Sequence, residues 1–235
     1  MSQTETQTEC KRCGQCCLHG GPALHGRDMK LLEDGKIERK HLITYLKGEL
    51  LKDPVSGSIM PLNEELVKLK TLPGTTTCVF YVQDTSTCAI YARRPAECRA
   101  QKCWDPDKLL AMYEVDRLQR RSIVNQAGGL GELMNEHEEK CGRKRIQQLS
   151  RKVGSDEAAE NELLELLKYD EAMRDLVSER IRIPRDDLEF YFGRPVAMIL
   201  PTFGVKVQRY GGSFKLTKLE NPVPEQDSTS AGSES

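Results

Sequence analysis

A chain of 235 residues with 35 basic and 36 acidic side chains carries a formal charge of −1, and 30% of its residues are charged. So even a balance creates no field that would hold nucleic acid or an anionic membrane surface, and neither is expected as an obligate partner. Hydrophobic residues reach 38% but aromatics only 6%, with a single Trp, so the core is expected to be modest and aliphatic; the unusual feature is nine cysteines, eight of them at or before Cys103.

The opening stretch, Met1 to Glu9, is polar and has neither the basic nor the apolar segment of a secretory leader. No run approaches the roughly 18 apolar residues of a spanning helix. The longest, Pro195 to Phe203, is far too short. A soluble, cytoplasmic setting is therefore expected, and in a reducing compartment thiols are not stored as structural disulfides.

Composition divides the chain into four parts. Residues 1–104 hold the eight clustered cysteines and many turn signals, and read as a cysteine-cluster metal-binding domain. Residues 105–183, rich in Leu, Glu, Lys and Arg, read as a helical region packing on it. Residues 184–220 read as a C-terminal hairpin segment, and residues 221–235 as a disordered tail of Pro, Ser, Glu and Asp with almost nothing to bury. The expected fold class is α+β: a small, irregular, metal-stapled cysteine domain with short hairpins, then helices, then a β-hairpin.

The first element is a cysteine array, Cys10-Lys-Arg-Cys13-Gly-Gln-Cys16-Cys17. A two-residue spacer lets the chain turn so that both sulfurs face one centre, and Gly14 permits the positive φ that such a wrap needs. Cys10, Cys13 and Cys16 can thus offer three ligands to one centre, the local spacing of iron–sulfur proteins. Side chains of adjacent residues diverge, so Cys16 and Cys17 either face different centres or sit on opposite sides of one cluster. Both arrangements tie the N-terminal segment to Cys78, Cys88, Cys98 and Cys103. The metal would then be a staple, its binding energy serving as folding energy. His19 and His25, flanking Gly20-Gly21-Pro22, read as loop residues, although an imidazole can replace a missing thiolate.

Cys78 to Val82 and Cys88 to Tyr91 read as a hairpin across Gln83 to Thr87, with a cysteine at the start of each strand and strands too short to hold unaided. Cys103, five residues beyond Cys98, is expected as an eighth ligand. The surrounding cations, Lys11, Arg12, Arg93, Arg94, Arg99 and Lys102 against Glu9 and Glu97, either complement the negative charge of gathered thiolates or form a solvated surface.

Further along, Asp105-Pro106 reads as an N-cap and first residue of a helix bearing Leu109, Leu110, Met112, Tyr113 and Leu118. A second helix is expected from about Leu130 to Leu149. On it, His137 and Cys141 lie four apart, and they read first as a packed histidine and a buried thiol and second as a metal pair. A third helix starts at the acidic Asp156, Glu157 and Glu160, carries Leu163, Leu166, Leu167, Met173, Leu176, Val177 and Ile181 on one side, and ends near Pro184. Val205, Val207 and Arg209, then Gly211-Gly212, then Phe214, Leu216 and Lys218 read as a hairpin.

The cysteine text resembles a known family. The CxxCxxCC run at Cys10 to Cys17 and the Cys-x9-Cys-Ala-Ile-Tyr-x2-Arg-Pro-x2-Cys-Arg run at Cys78 to Arg99 are similar to the YkgJ-type cysteine-cluster proteins. The resemblance implies a zinc- or iron-chelating role for Cys10, Cys13, Cys16, Cys17, Cys78, Cys88 and Cys98, with Arg94-Pro95 as a turn presenting Cys98. It supplies no reaction. A flagellin lysine methylase is similar in its cysteine cluster, which makes a metal-dependent, methyl-transferring enzyme one alternative, although no glycine-rich cofactor motif follows a strand here. A zinc-stapled protein-interaction module is the other. Thiolates alone do not choose the metal. Paired thiols suit closed zinc sites, whereas the three-ligand run and the proline near Cys98 make an iron–sulfur cluster the first reading and zinc the second.

Overall fold

We describe residues 7–53 and 56–219 from a computed structural model; the tail expected over 221–235 lies outside them. The architecture is α+β. After a one-turn helix, α1 (Gln15–Leu18), and the short α2 (Met29–Glu33) come four strands, β1 (Leu42–Tyr45), β2 (Leu50–Lys52), β3 (Ile59–Pro61) and β4 (Leu66–Leu69). β1 pairs antiparallel with β4, Leu42 opposite Leu69 and Tyr45 opposite Leu66, and the β2–β3 hairpin is nested between them. Leu42 and Thr44 are buried while Ile43 and Tyr45 are half-buried, the two-residue alternation of a sheet with one face inward.

The hairpin expected between Cys78 and Tyr91 shrinks to β5 (Tyr81–Val82) and β6 (Thr87–Cys88), with Tyr81 opposite Cys88. Cys78 lies outside the strand and Cys88 closes, rather than opens, its own. Then follow α3 (Ala96–Ala100) and α4 (Asp107–Met112). α4 begins one residue later than the Asp105-Pro106 signal, with Pro106 rather than Asp105 at its N-cap and no side-chain cap bond. The expected second helix is two: α5 (Gly129–Lys140) and α6 (Arg143–Lys152). Cys141 and Gly142 leave helical geometry between them, Gly142 with ψ 129°, and this bend turns Arg143 inward.

The long helix α7 (Glu157–Arg180) starts at Asp156, whose Oδ1 accepts the Ala159 N–H at 3.1 Å. Its buried side carries Leu163, Leu166, Leu167, Met173 and Val177, as the pattern requires, together with Asp170 and Arg174. Leu176 and Ile181, expected on that side, are exposed. α8 (Leu188–Phe192) and α9 (Val196–Ile199) precede the C-terminal hairpin, β7 (Val205–Tyr210) with β8 (Ser213–Lys218), where Val205 and Leu216 face inward. Lys218 Nζ donates to the carbonyls of Ser150 and Arg151 at 2.9 Å, satisfying the C-terminal end of α6.

Two cores result. One joins Leu24, Leu42, Val67, Leu69 and Cys78 to Met134, Met173, Val177, Phe190 and Phe192, so it draws on both sides of residue 104. The other gathers Cys141, Ile146, Leu163, Leu167, Val196, Ile199, Val205 and Leu216. Between the β1–β2 turn and the helices, the fully buried Glu49 accepts from Arg143 Nε at 3.3 Å and from Arg194 Nε at 2.5 Å. A buried carboxylate is tolerable only with such partners.

Candidate metal centre

The N-terminal cysteines are shaped by Gly14. Its φ of 76° is left-handed, as the spacer demands, and a Cβ there would lie 2.6 Å from the Tyr81 ring. The Gly14 carbonyl then accepts from Cys17 N at 2.8 Å and starts α1, which carries Cys16 and Cys17. The Cys17 carbonyl accepts the Cys78 N–H at 2.7 Å, and the Leu18 carbonyl accepts Thr76 Oγ1 at 2.6 Å. Backbone hydrogen bonding thus brings two stretches sixty residues apart in the chain into register.

Cys98 is delivered separately. Pro95 precedes α3, and a buried network fixes that helix. Asp28 accepts the Ala96 N–H at 2.9 Å, Glu97 accepts the Ala23 N–H at 2.7 Å, and His25 places Nε2 3.2 Å from Glu97 and Nδ1 2.8 Å from the Val115 carbonyl. His25, read from sequence as a loop residue, is 1% exposed and is a packing element of this network. His19 is exposed.

Electrostatics identify the thiols that lie near one another. Burial pushes Cys17 up to about 12, and the neighbouring thiols of Cys16, Cys88 and Cys78 push the same way. Cys98 is raised first by burial and then by Cys78, Cys17, Cys88 and Cys16; Cys78 is raised by burial, with Cys88 and Cys16 adding to it. Five thiols from two remote stretches therefore share one neighbourhood. Cys17, Cys78 and Cys98 accordingly resist ionisation unless a cation stands beside them, and a sulfur-only donor set suits zinc or iron. The thiols are gathered rather than drawn to one point: among the described residues, no three Cys, His, Asp or Glu side chains stand in a metal-holding group.

The remaining expected ligands lie further out. Cys10 and Cys13 are exposed, and the Arg12 N–H points to Cys10 Sγ at 3.4 Å. Cys103 is exposed, with Gln7 Nε2 3.7 Å from its sulfur. His137 and Cys141 are elsewhere: both are fully buried, with His137 Nε2 2.7 Å from Asp170 Oδ1, in keeping with the core reading. Of the surrounding cations, Arg93 pairs with Asp34 at 3.0 Å and Lys102 with Asp105 at 3.1 Å, while Arg99 donates to the Arg94 carbonyl. The site roles of Tyr81, Tyr91, Asp28 and Glu97 escaped the sequence reading, in which the two tyrosines are hairpin residues and Glu97 a counter-charge to the nearby cations. Only the position of Glu97 beside Cys98 was available as a signal, because their partners are distant in the chain.

Fold and site together define a small α+β protein with a thiol-rich N-terminal part. The chain belongs to the CxxCxxCC family, whose model, described as "Putative zinc- or iron-chelating domain", matches residues 9–142. The match reaches beyond Cys103 to include α4 and α5. No curated protein and no solved structure is detectably similar to the chain. No helix among the described residues is long and apolar enough to cross a membrane.

Proposed function

We propose that this protein chelates an iron–sulfur cluster, or in second place zinc, through Cys10, Cys13, Cys16, Cys17, Cys78, Cys88, Cys98 and Cys103. The observation that carries the reading is the shared neighbourhood of Cys16, Cys17, Cys78, Cys88 and Cys98. A bound cluster would supply electron transfer, whereas zinc in an all-thiolate shell would be structural. The chain's own residues do the rest. Gly14 starts the turn of helix that carries Cys16 and Cys17, α3 presents Cys98, and the half-buried setting of Cys17, Cys88 and Cys98 limits the access of water.

Residues 105–219 act in this reading as a scaffold with a surface for a protein partner, in a cytoplasmic setting without nucleic acid. No side chain is assigned a catalytic role. The test is anaerobic purification followed by measurement of iron, acid-labile sulfide and zinc together with the visible spectrum. Iron and sulfide with a broad visible band support the cluster. Zinc without sulfide transfers the reading to a structural centre, and a folded protein that binds neither metal overturns it.

A further inference from the structure

Contacts that involve no sulfur already hold the N-terminal cysteines in place. The Arg12 guanidinium lies 4.5 Å from the centroid of the Tyr91 ring, and that of Arg94 lies 4.0 Å from the same centroid. Arg94 is itself fixed: Nη1 donates to the Tyr91 carbonyl at 3.0 Å and Nε to the Cys98 carbonyl at 3.3 Å. One aromatic ring therefore connects the spacer of the first C-x2-C pair to the helix that carries Cys98. Arg12 adopts a φ of 53°, a region that side-chain-bearing residues avoid unless other contacts impose it. The stack on Tyr91 is such a contact, and among the described residues no carboxylate pairs with Arg12. Two residues further on, the Tyr81 ring covers Gly14, and Cys78 N donates to the Cys17 carbonyl. The later thiols rest on packing as well, since Cys78 belongs to the core that contains Phe190 and Phe192.

We propose that Arg12, Tyr91 and Arg94 form a latch that positions the N-terminal thiols independently of metal, so that the centre is loaded on a chain already folded. The inference rests on the metal-chelating reading and deepens it. In the common small thiolate modules metal binding and folding are one event; here they are separate, and Arg12, Tyr91 and Arg94 are positioning residues rather than ligands.

The test uses the full chain stripped of metal by chelator under reducing, anaerobic conditions. Wild type is expected to keep its near-ultraviolet circular dichroism and a cooperative thermal transition. Its Arg12 side-chain protons should show the upfield NMR shifts of a group over an aromatic ring, a readout that needs no metal. Zinc, added as the probe, should then bind without a folding phase. Tyr91→Leu and Arg12→Gln should each weaken zinc retention against a chromophoric chelator by about 10-fold, with the thermal transition of the stripped protein little changed, whereas Tyr91→Phe, which keeps the ring face, should stay within about 2-fold of wild type. Unfolding of the stripped wild type, ordinary Arg12 shifts, or wild-type zinc retention in Tyr91→Leu would each overturn the latch. Failure of the wild-type chain to bind zinc or iron in any form would instead overturn the metal-chelating reading, and the Arg12 shifts would still decide the latch.

Discussion

Cys98 and Cys141 are both buried thiols raised above the ordinary cysteine value, and the company each keeps separates their roles. Four other thiols act on Cys98, whereas burial alone dominates at Cys141, pushing it to about 12 with Asp170 as the next contributor. Cys98→Ser and Cys13→Ser are expected to abolish metal content, read as metal per chain by elemental analysis. Cys141→Ser should leave metal content intact while costing about 1–3 kcal/mol in denaturant unfolding, because it buries a hydroxyl in an apolar core. The two buried histidines likewise diverge. Both ring nitrogens of His25 face acceptors, Glu97 and the Val115 carbonyl, so the doubly protonated ring is favoured and its pKa is raised, chiefly by the Glu97 hydrogen bond. His137 is lowered by burial, Asp170 offsetting part of the effect, and its Nδ1 has no hydrogen-bond partner. A raised folded pKa stabilises below the unfolded value of about 6.5 and is lost as pH rises through the folded one; a lowered folded pKa leaves stability intact above about 6.5 and erodes it as pH falls below. The destabilisation caused by His25→Gln should therefore be larger at pH 5.5 than at pH 8, and that caused by His137→Gln larger at pH 8 than at pH 5.5, both measured by denaturant unfolding.

At the scale of elements, periodicity and punctuation carried most of what was legible. The acidic start of α7, its inward leucines and the glycine turn of the C-terminal hairpin all follow from local rules, and so does the left-handed Gly14. The misread places are those where a distant partner overrides the local pattern. α5 and α6 read as one helix because nothing near Gly142 announces that Arg143 must turn toward Glu49. β1 and β4 went unseen because a hairpin is nested between them, which separates the paired strands in the chain. At the site, the cysteine spacing marked the stretches that the fold brings together, but the Arg12–Tyr91 stack and the His25–Glu97 network join residues that share no local text. Gly14→Ala tests the local rule against the tertiary one. The left-handed backbone alone should cost about 1–2 kcal/mol, and contact with Tyr81 should also displace the thiols and lower metal retention. Gly74, with φ 70° and nothing within 4 Å of an added Cβ, is the control: Gly74→Ala should show a similar loss in thermal unfolding with metal retention unchanged.

For the whole molecule, Cys78 and Cys17 rest on a core that runs from Leu24 to Phe192, so these thiols inherit part of their placement from helices that carry no clustered cysteine. Arg120 shows how the parts are joined: its guanidinium reaches Glu65 at 2.6 Å, Glu138 on α5 and the Tyr191 carbonyl on α8. Glu49 makes the corresponding join to α6 and to the approach to α9. Removing its charge as Glu49→Gln leaves Arg143, 2% exposed, without a full counter-charge, and a loss of about 3–5 kcal/mol in denaturant unfolding is expected. A deficit of that size is a large share of what a domain possesses. In a living cell such a variant would be depleted by quality control, and its extract would look metal-poor although every sulfur is intact. Residue 49 could thus be mistaken for part of the inorganic chemistry in any screen that counts metal per culture instead of per surviving molecule.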